Sequence, residues 1–138
     1  MSLTEVFTRV VRSHEKRTRS KVTLDIKNLP EQATLPLKIT VYRLIQEALN
    51  NAYVHAGGID QRVRAICEND LLQIEISDKG PGFDVAHSLE WENQLGLAGM
   101  RERVESLGGF LEIQSVVNEG TIVNANIYLQ NAEVYING

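Results

Sequence analysis

The sequence predicts an α+β fold, a two-layer sandwich in which a mixed, mostly antiparallel sheet is covered by helices on one face. Three observations predict it. Three segments carry apolar residues at helical spacing, and five others alternate with the period of a half-buried strand. Four of those strands form two pairs, each joined by a short turn rich in Asn, Asp or Gly. The order is α-β-α-β-β-α-β-β, with helices falling between strand pairs and not after every strand.

The first helix runs from Leu3 to about Arg19, with Leu3, Val6, Phe7, Val10 and Val11 on one stripe. Lys21 to Lys27 (KVTLDIK) alternates as a strand. NLPEQATLP is a loop with two prolines, and the second, Pro36, suits the first turn of a helix. Leu37 to Ala56 carries the longest helical pattern, its stripe formed by Val41, Leu44, Ile45, Ala48, Leu49 and Ala52, and Gly57-Gly58 ends it. Gln61 to Glu68 and Leu71 to Ser77 read as a hairpin turned at Glu68-Asn69-Asp70. After DKGPGFD (Asp78 to Asp84) comes an irregular stretch, Val85 to Leu95, and then a helix from Leu97 to Leu107 closed by Gly108-Gly109. Phe110 to Val117 and Thr121 to Leu129 form a second strand pair about Asn118-Glu119-Gly120. Residues 1–20 are thus an N-terminal helix packing on or leading into a domain of residues 21–130, with 131–138 as a tail.

A chain of 138 residues, 43% apolar and 23% charged, is long enough for one core and has an ordinary globular composition. The net charge of -4 and the lack of a basic stripe argue against binding nucleic acid or an anionic membrane. The one basic cluster, Arg12 to Lys21, reads as a solvated helix end. The single cysteine, Cys67, excludes an internal disulfide and a CxxC metal site and fits a reducing cytosol. No apolar run reaches the length of a membrane span and no signal peptide opens the chain, so it reads as a soluble intracellular domain, cut from something larger or complete.

Three features could carry chemistry. Glu47 and Asn51 lie four apart, on one face of the long helix beside its apolar stripe. They read either as the polar flank of an amphipathic helix or as oxygen donors for a hard cation. In DKGPGFD, Gly80 and Gly82 serve a turn or give a ligand access to the backbone. In NQLGLAGMRERVESLGG, Gly96 and Gly99 stand where a loop becomes a helix, either for close packing or to offer backbone N–H groups and the helix dipole to phosphate. No Walker A motif, dinucleotide fingerprint or nucleophilic triad is present. His14, His55 and His87 are isolated, and His14 and His87 read as surface residues; Trp91 reads as a packing residue or an interface anchor.

Taken together, the acid/amide helix, the strand pair, the D-x-G-x-G loop, the G-x-x-G helix start and the strand opening at Gly120-Thr121 resemble the ATP-binding (Bergerat) fold shared by gyrase, the heat-shock chaperone, histidine kinases and MutL. Within it, YRLIQEALNNAYVHA, DKGPGFD and LGLAGMRERVESLGG resemble the nitrate-sensor and DesK-like subfamily of sensor histidine kinases. The resemblance covers about Leu24 to Leu129. It implies an enzyme, the catalytic domain of a protein-histidine kinase, taking ATP or ADP with Mg²⁺. It implies that Asp78 reads the adenine amino group, that Gly80 and Gly82 let the loop pass close to the nucleotide, and that Thr121 supports the adenine pocket through water. Asn51 would coordinate Mg²⁺, Glu47 would act as catalytic residue and assist the metal, and Gly96, Leu97, Gly99 and Met100 would flank the phosphates. Val85 to Leu95 would form the lid.

The departures are specific. Val54 precedes His55 where relatives often carry Lys or Arg, so one phosphate contact is in doubt, and His55 reads either as reaching the nucleotide or as a capping or packing residue. Lys79 stands where Asn is common, and Gln94-Leu95 where some relatives have more glycine. No phosphoacceptor histidine with its acidic neighbours is present, so the phosphoacceptor dimerisation domain of the same parent protein would be a separate partner, with a response regulator, LuxR-type by resemblance, downstream. The competing readings are a stand-alone regulatory module on the same fold, such as an anti-sigma-like serine kinase, and a nucleotide-binding pseudokinase.

Overall fold

The computed structural model describes residues 1–82 and 96–129. The expected element order is present: α1 (Leu3–Thr18), β1 (Val22–Lys27), α2 (Leu35–Ala56), β2 (Gln61–Glu68), β3 (Leu71–Asp78), α3 (Leu97–Ser106), β4 (Phe110–Val116) and β5 (Gly120–Tyr128). The stretch Val85–Leu95, expected to be irregular, and the tail 131–138 lie outside the described residues.

Local chemistry explains the element boundaries. Helix α1 opens with a capping box in which the Ser2 hydroxyl accepts from the Glu5 N–H and the Glu5 carboxylate accepts from the Ser2 N–H, both at 3.2 Å. Helix α2 begins at Leu35, two residues before the expected start at Leu37, because Pro36 fits the first turn without needing its missing N–H. It ends where the Gly57 and Gly58 N–H groups bond back to the Tyr53 and Ala52 carbonyls. Asn69 and Asp70 both take positive φ, as a two-residue turn requires if it is to match the twist of the hairpin it joins.

The five strands form one sheet in the order β1-β2-β3-β5-β4. β1 pairs parallel with β2 through the crossover helix α2, and the other three pairings are antiparallel. Alternation along the strands aims Val63, Ala65, Leu72, Ile74, Ile76, Leu111, Val123, Ala125 and Ile127 at the helices. The other face carries Asp25, Lys27, Arg64, Glu75 and Glu112, with Gln73, Asn124 and Asn126, in an open depression. The helix layer buries the whole predicted stripe of α2, with Val104 and Leu107 from the α3 end.

Helix α1 is part of this layer. Leu3, Phe7 and Val11 have no exposed surface, and the helix packs along α2. One residue of α1 corrects the sequence expectation. His14, assigned to the surface, is only 3% exposed. It continues the α1 stripe at i+3 and i+4 from Val11 and Val10, so the helical period puts it inside, whatever its polarity.

Because α1 shares the core with α2, Phe7→Ala should destabilise the entire domain, by about 3–5 kcal/mol, and not loosen α1 alone. Urea unfolding followed by far-UV dichroism and by amide exchange should still give one cooperative transition, at lower denaturant. A two-step transition would show α1 to be an independent appendage.

Candidate functional site

The apolar stripe fixes the rotation of α2 about its axis. With Leu44, Ala48, Leu49 and Ala52 against the sheet, Glu47 and Asn51 are held half-buried at the margin, one turn apart. The N-terminus of α3 comes to this margin. Gly96 caps α3 with φ 74°, and a Cβ on it would overlap the Glu47 carboxylate. The acid on α2 and the glycine helix start, distant in sequence, therefore meet. A carboxylate beside the first turn of a helix is electrostatically favourable.

Asp78 ends β3 and is 9% exposed. Its Oδ1 accepts from the Gly80 N–H at 2.9 Å, and the N–H of Thr121, its partner across β5, also donates to its carboxylate. Burial pushes its pKa above the ordinary carboxylate value, outweighing the two N–H bonds, which pull it down. The Thr121 hydroxyl lies 2.9 Å from the Ser115 hydroxyl on β4, so Asp78, Thr121 and Ser115 form a polar row across three strands. Ser115, buried at 3% exposure, escaped the sequence reading. Its signal would have been the register that sets Ser115 opposite Thr121.

The glycines of the DKGPG loop have intramolecular neighbours. A Cβ on Gly80 would overlap Ala56 at the C-terminal end of α2, and one on Gly82 would overlap the Val116 carbonyl. The loop is pinned between that helix end and the β4–β5 turn, where the Asn118 N–H donates to the Pro81 carbonyl at 2.6 Å. Gly120 likewise has no room for a Cβ, which would overlap the Asp78 carbonyl. Gly99 is different: among the described residues, a Cβ there would meet nothing within 4 Å.

The remaining expected residues fall as follows. His55 is exposed on the last turn of α2, and Val54 beside it is 61% exposed. Met100 is half-buried and packs against the core. The side chain of Leu97, the lid and its Gln94-Leu95, together with Phe83, Asp84, His87 and Trp91, lie outside the described residues. Lys79 is solvent-facing, and its ammonium lies 3.6 Å from Asp60, while its N–H donates to the Ile59 carbonyl. Among the described residues, no group of three or more His, Cys, Asp or Glu could cage a metal. Glu47 and Asn51 offer two oxygen donors on one helix face, which suits Mg²⁺, an ion that takes one or two protein oxygens and completes its shell with water and phosphate.

The family model described as "Histidine kinase-, DNA gyrase B-, and HSP90-like ATPase" matches residues 37–131. The chain is 28% identical over 130 residues to the sensor histidine kinase ComP of Bacillus subtilis (strain 168), covering 94% of this chain and 17% of that protein. It is 34% identical over 93 residues to the signal transduction histidine-protein kinase/phosphatase DegS of the same organism, covering 67% of this chain and 24% of that protein. In architecture it is similar to the histidine kinase domain of the Erythrobacter litoralis EL346 blue-light activated histidine kinase, with a TM-score of 0.84 at 22% identity over 99% of this chain and 65% of that one. The chain thus spans a quarter or less of the two Bacillus relatives.

The glycine environments predict opposite effects. Gly80→Ala should lower the melting temperature of the ligand-free protein, because a methyl cannot share space with Ala56. Gly99→Ala should leave it unchanged or raise stability by about 0.5–1 kcal/mol, through helix propensity. Thermal unfolding of both variants checks this pair.

Proposed function

Because the chain belongs to the histidine kinase-, DNA gyrase B- and HSP90-like ATPase family, we propose that it is the ATP–Mg²⁺-binding catalytic domain of a two-component sensor histidine kinase. In that role it presents the γ-phosphate of ATP to a histidine on a separate phosphoacceptor dimerisation domain of the same parent protein. The histidine nitrogen forms a bond to phosphorus, the bond to the leaving oxygen of ADP breaks, and the phosphoryl group goes on to an aspartate-bearing response regulator, of LuxR type. The domain works in the cytosol. No helix among the described residues is long and apolar enough to cross a membrane.

The observation that carries this reading is Asp78. A carboxylate buried at a strand end, held by two backbone N–H groups and bordered by a hydroxyl pair, is a rigid acceptor. Such an acceptor suits the exocyclic amino group of adenine, with Thr121 supporting the base through water. Gly80 and Gly82 keep the loop backbone close to both the domain and the base. Further back along α2 from the Ala56 end that receives the loop, Asn51 and Glu47 would hold Mg²⁺, which when bound neutralises charge on the phosphates. Glu47 also orients water there. The α3 start, with Gly96, Leu97, Gly99 and Met100, borders the phosphates, and the space beside Gly99 lets the helix N–H groups approach them. His55, on the exposed last turn, lies on the same side. His14 is not the phosphoacceptor, since it is buried and bonded at both ring nitrogens.

Asp78→Asn tests the proposal. Replacing the acceptor should weaken MgATP and MgADP binding by about 30-fold or more, the cost of losing a charge-assisted hydrogen bond at a largely buried carboxylate. The ligand-free variant should be as stable as the parent at pH 7, or more so, because the desolvated carboxylate is a burden to the folded state. Calorimetric titration and thermal unfolding check the two halves. Equal affinity of the two proteins for nucleotide would overturn the assignment.

A further inference from the structure

Around His14 lies a polar network, buried at His14 and Gln61 and reaching solvent at Arg17, that the nucleotide chemistry does not use. Nε2 of His14 is 2.9 Å from Oε1 of Gln61, and both side chains are almost fully buried. The Gln61 amide nitrogen donates to the Ser20 hydroxyl at 2.8 Å and to the Lys21 carbonyl at 3.1 Å. A carbonyl can only accept, so Gln61 Oε1 is the acceptor toward His14 and the imidazole carries its hydrogen on Nε2. Nδ1 faces the Arg17 guanidinium at 3.4 Å, and a guanidinium can only donate. The ring is therefore an acceptor at Nδ1, which makes it neutral.

The same network brackets both ends of the proposed site's framework. Arg17 also donates to Asn50, the neighbour of Asn51 on α2, at 3.4 Å. The Tyr53 ring, one turn further on, meets the imidazole edge-on with centroids 6.2 Å apart. Gln61 opens β2, and the Ile59 carbonyl two residues before it accepts from the N–H of Lys79, next to Asp78. We propose that neutral His14 is a positioning residue for the nucleotide site, seating the α1–β1 corner against α2 and β2 so that Asn51 and Asp78 hold their places. A second proton would put an N–H at Nδ1 against Arg17 and turn that guanidinium off Asn50.

The charged and titratable groups facing the ring are Glu15 and Arg17 from α1 and the Tyr53 phenol from α2; β2 and the corner contribute only Gln61, the Ser20 hydroxyl and the Lys21 carbonyl. Burial is the main cause that lowers the His14 pKa, with Arg17 adding to it, against the raising effects of the Gln61 bond and Glu15. The sign follows. Above about pH 6.5 neutral His14 costs nothing, and as pH falls below that the unfolded or unseated state takes up the proton first.

This inference rests on the proposed nucleotide site, and its test separates the two. The imidazole C2 proton of His14, assigned by its loss in His14→Gln, is titrated by NMR in the otherwise unmodified chain with and without saturating MgADP. If the neutral form binds nucleotide about fivefold more tightly, MgADP must lower the His14 pKa by about 0.7, since the coupling is reciprocal. Calorimetry from pH 7.5 downward should show the affinity of the parent falling relative to His14→Gln as pH passes through the lowered His14 pKa, approaching fivefold only below the pKa of the bound state, a comparison in which the ligand's own titration cancels. Nucleotide binding with an unmoved His14 pKa, or a His14 that stays neutral in both states throughout, would overturn this inference and leave the ATP site standing. No binding at pH 7.5 would overturn the site and the inference with it. Should His14→Gln fail to fold, assignment through Arg17→Met, which shifts the His14 line, keeps the titration decisive.

Discussion

The burial of one face of α2 against the sheet is the constraint from which the rest of the molecule follows. A helix of 22 residues carrying eight buried side chains has one rotation about its axis that satisfies them. That rotation leaves Glu47 and Asn51 at the margin, close enough to the core to be held and close enough to solvent to meet a ligand. It also decides where the helix ends, at Gly57, and so where Ala56 stands to receive the DKGPG loop. The sheet needs α2 as a cover, and the site needs it as a rail along which its polar residues are spaced.

Much of the fold was legible because its signals are local. Apolar periods, the Asn69-Asp70 turn and the Gly57-Gly58 stop each act within a few residues, and they placed every described element to within two or three positions. The pairing of sequence-distant residues was not legible. That Asp78 lies opposite Thr121, and Thr121 opposite Ser115, is a matter of register between strands more than forty residues apart for the first pair. That Gly96 meets Glu47 depends on how α3 settles on α2. His14 failed for another reason. Its type outweighed its position in the reading, although the helical period included it in the stripe, and Gln61 likewise shares the inward phase of Val63 and Ala65. A polar residue can be taken inward when another polar residue is waiting for it.

The glycines illustrate how one residue type serves two ends. Gly80, Gly82 and Gly120 remove side chains so that segments of the protein touch each other, and the contact makes the Asp78 environment rigid. Gly99 removes a side chain where, among the described residues, nothing would touch it. The first three build the wall of a site and the fourth keeps an approach to it clear. A motif that counts glycines sees no difference between them, but the space around each does.

The sheet order carries a last consequence. The family model starts at residue 37, which makes α1 and β1 look like additions to a complete unit. They are not additions in the sheet, because β1 supplies the outer strand that pairs with β2 along six positions. Without β1, β2 would present an open row of N–H and C=O groups, and without α1 the core would show the surface that Phe7 and Val11 now cover. Both invite another chain to pair or collapse there. The segment ahead of the matched unit thus guards it against association, as a selvedge keeps woven cloth from fraying.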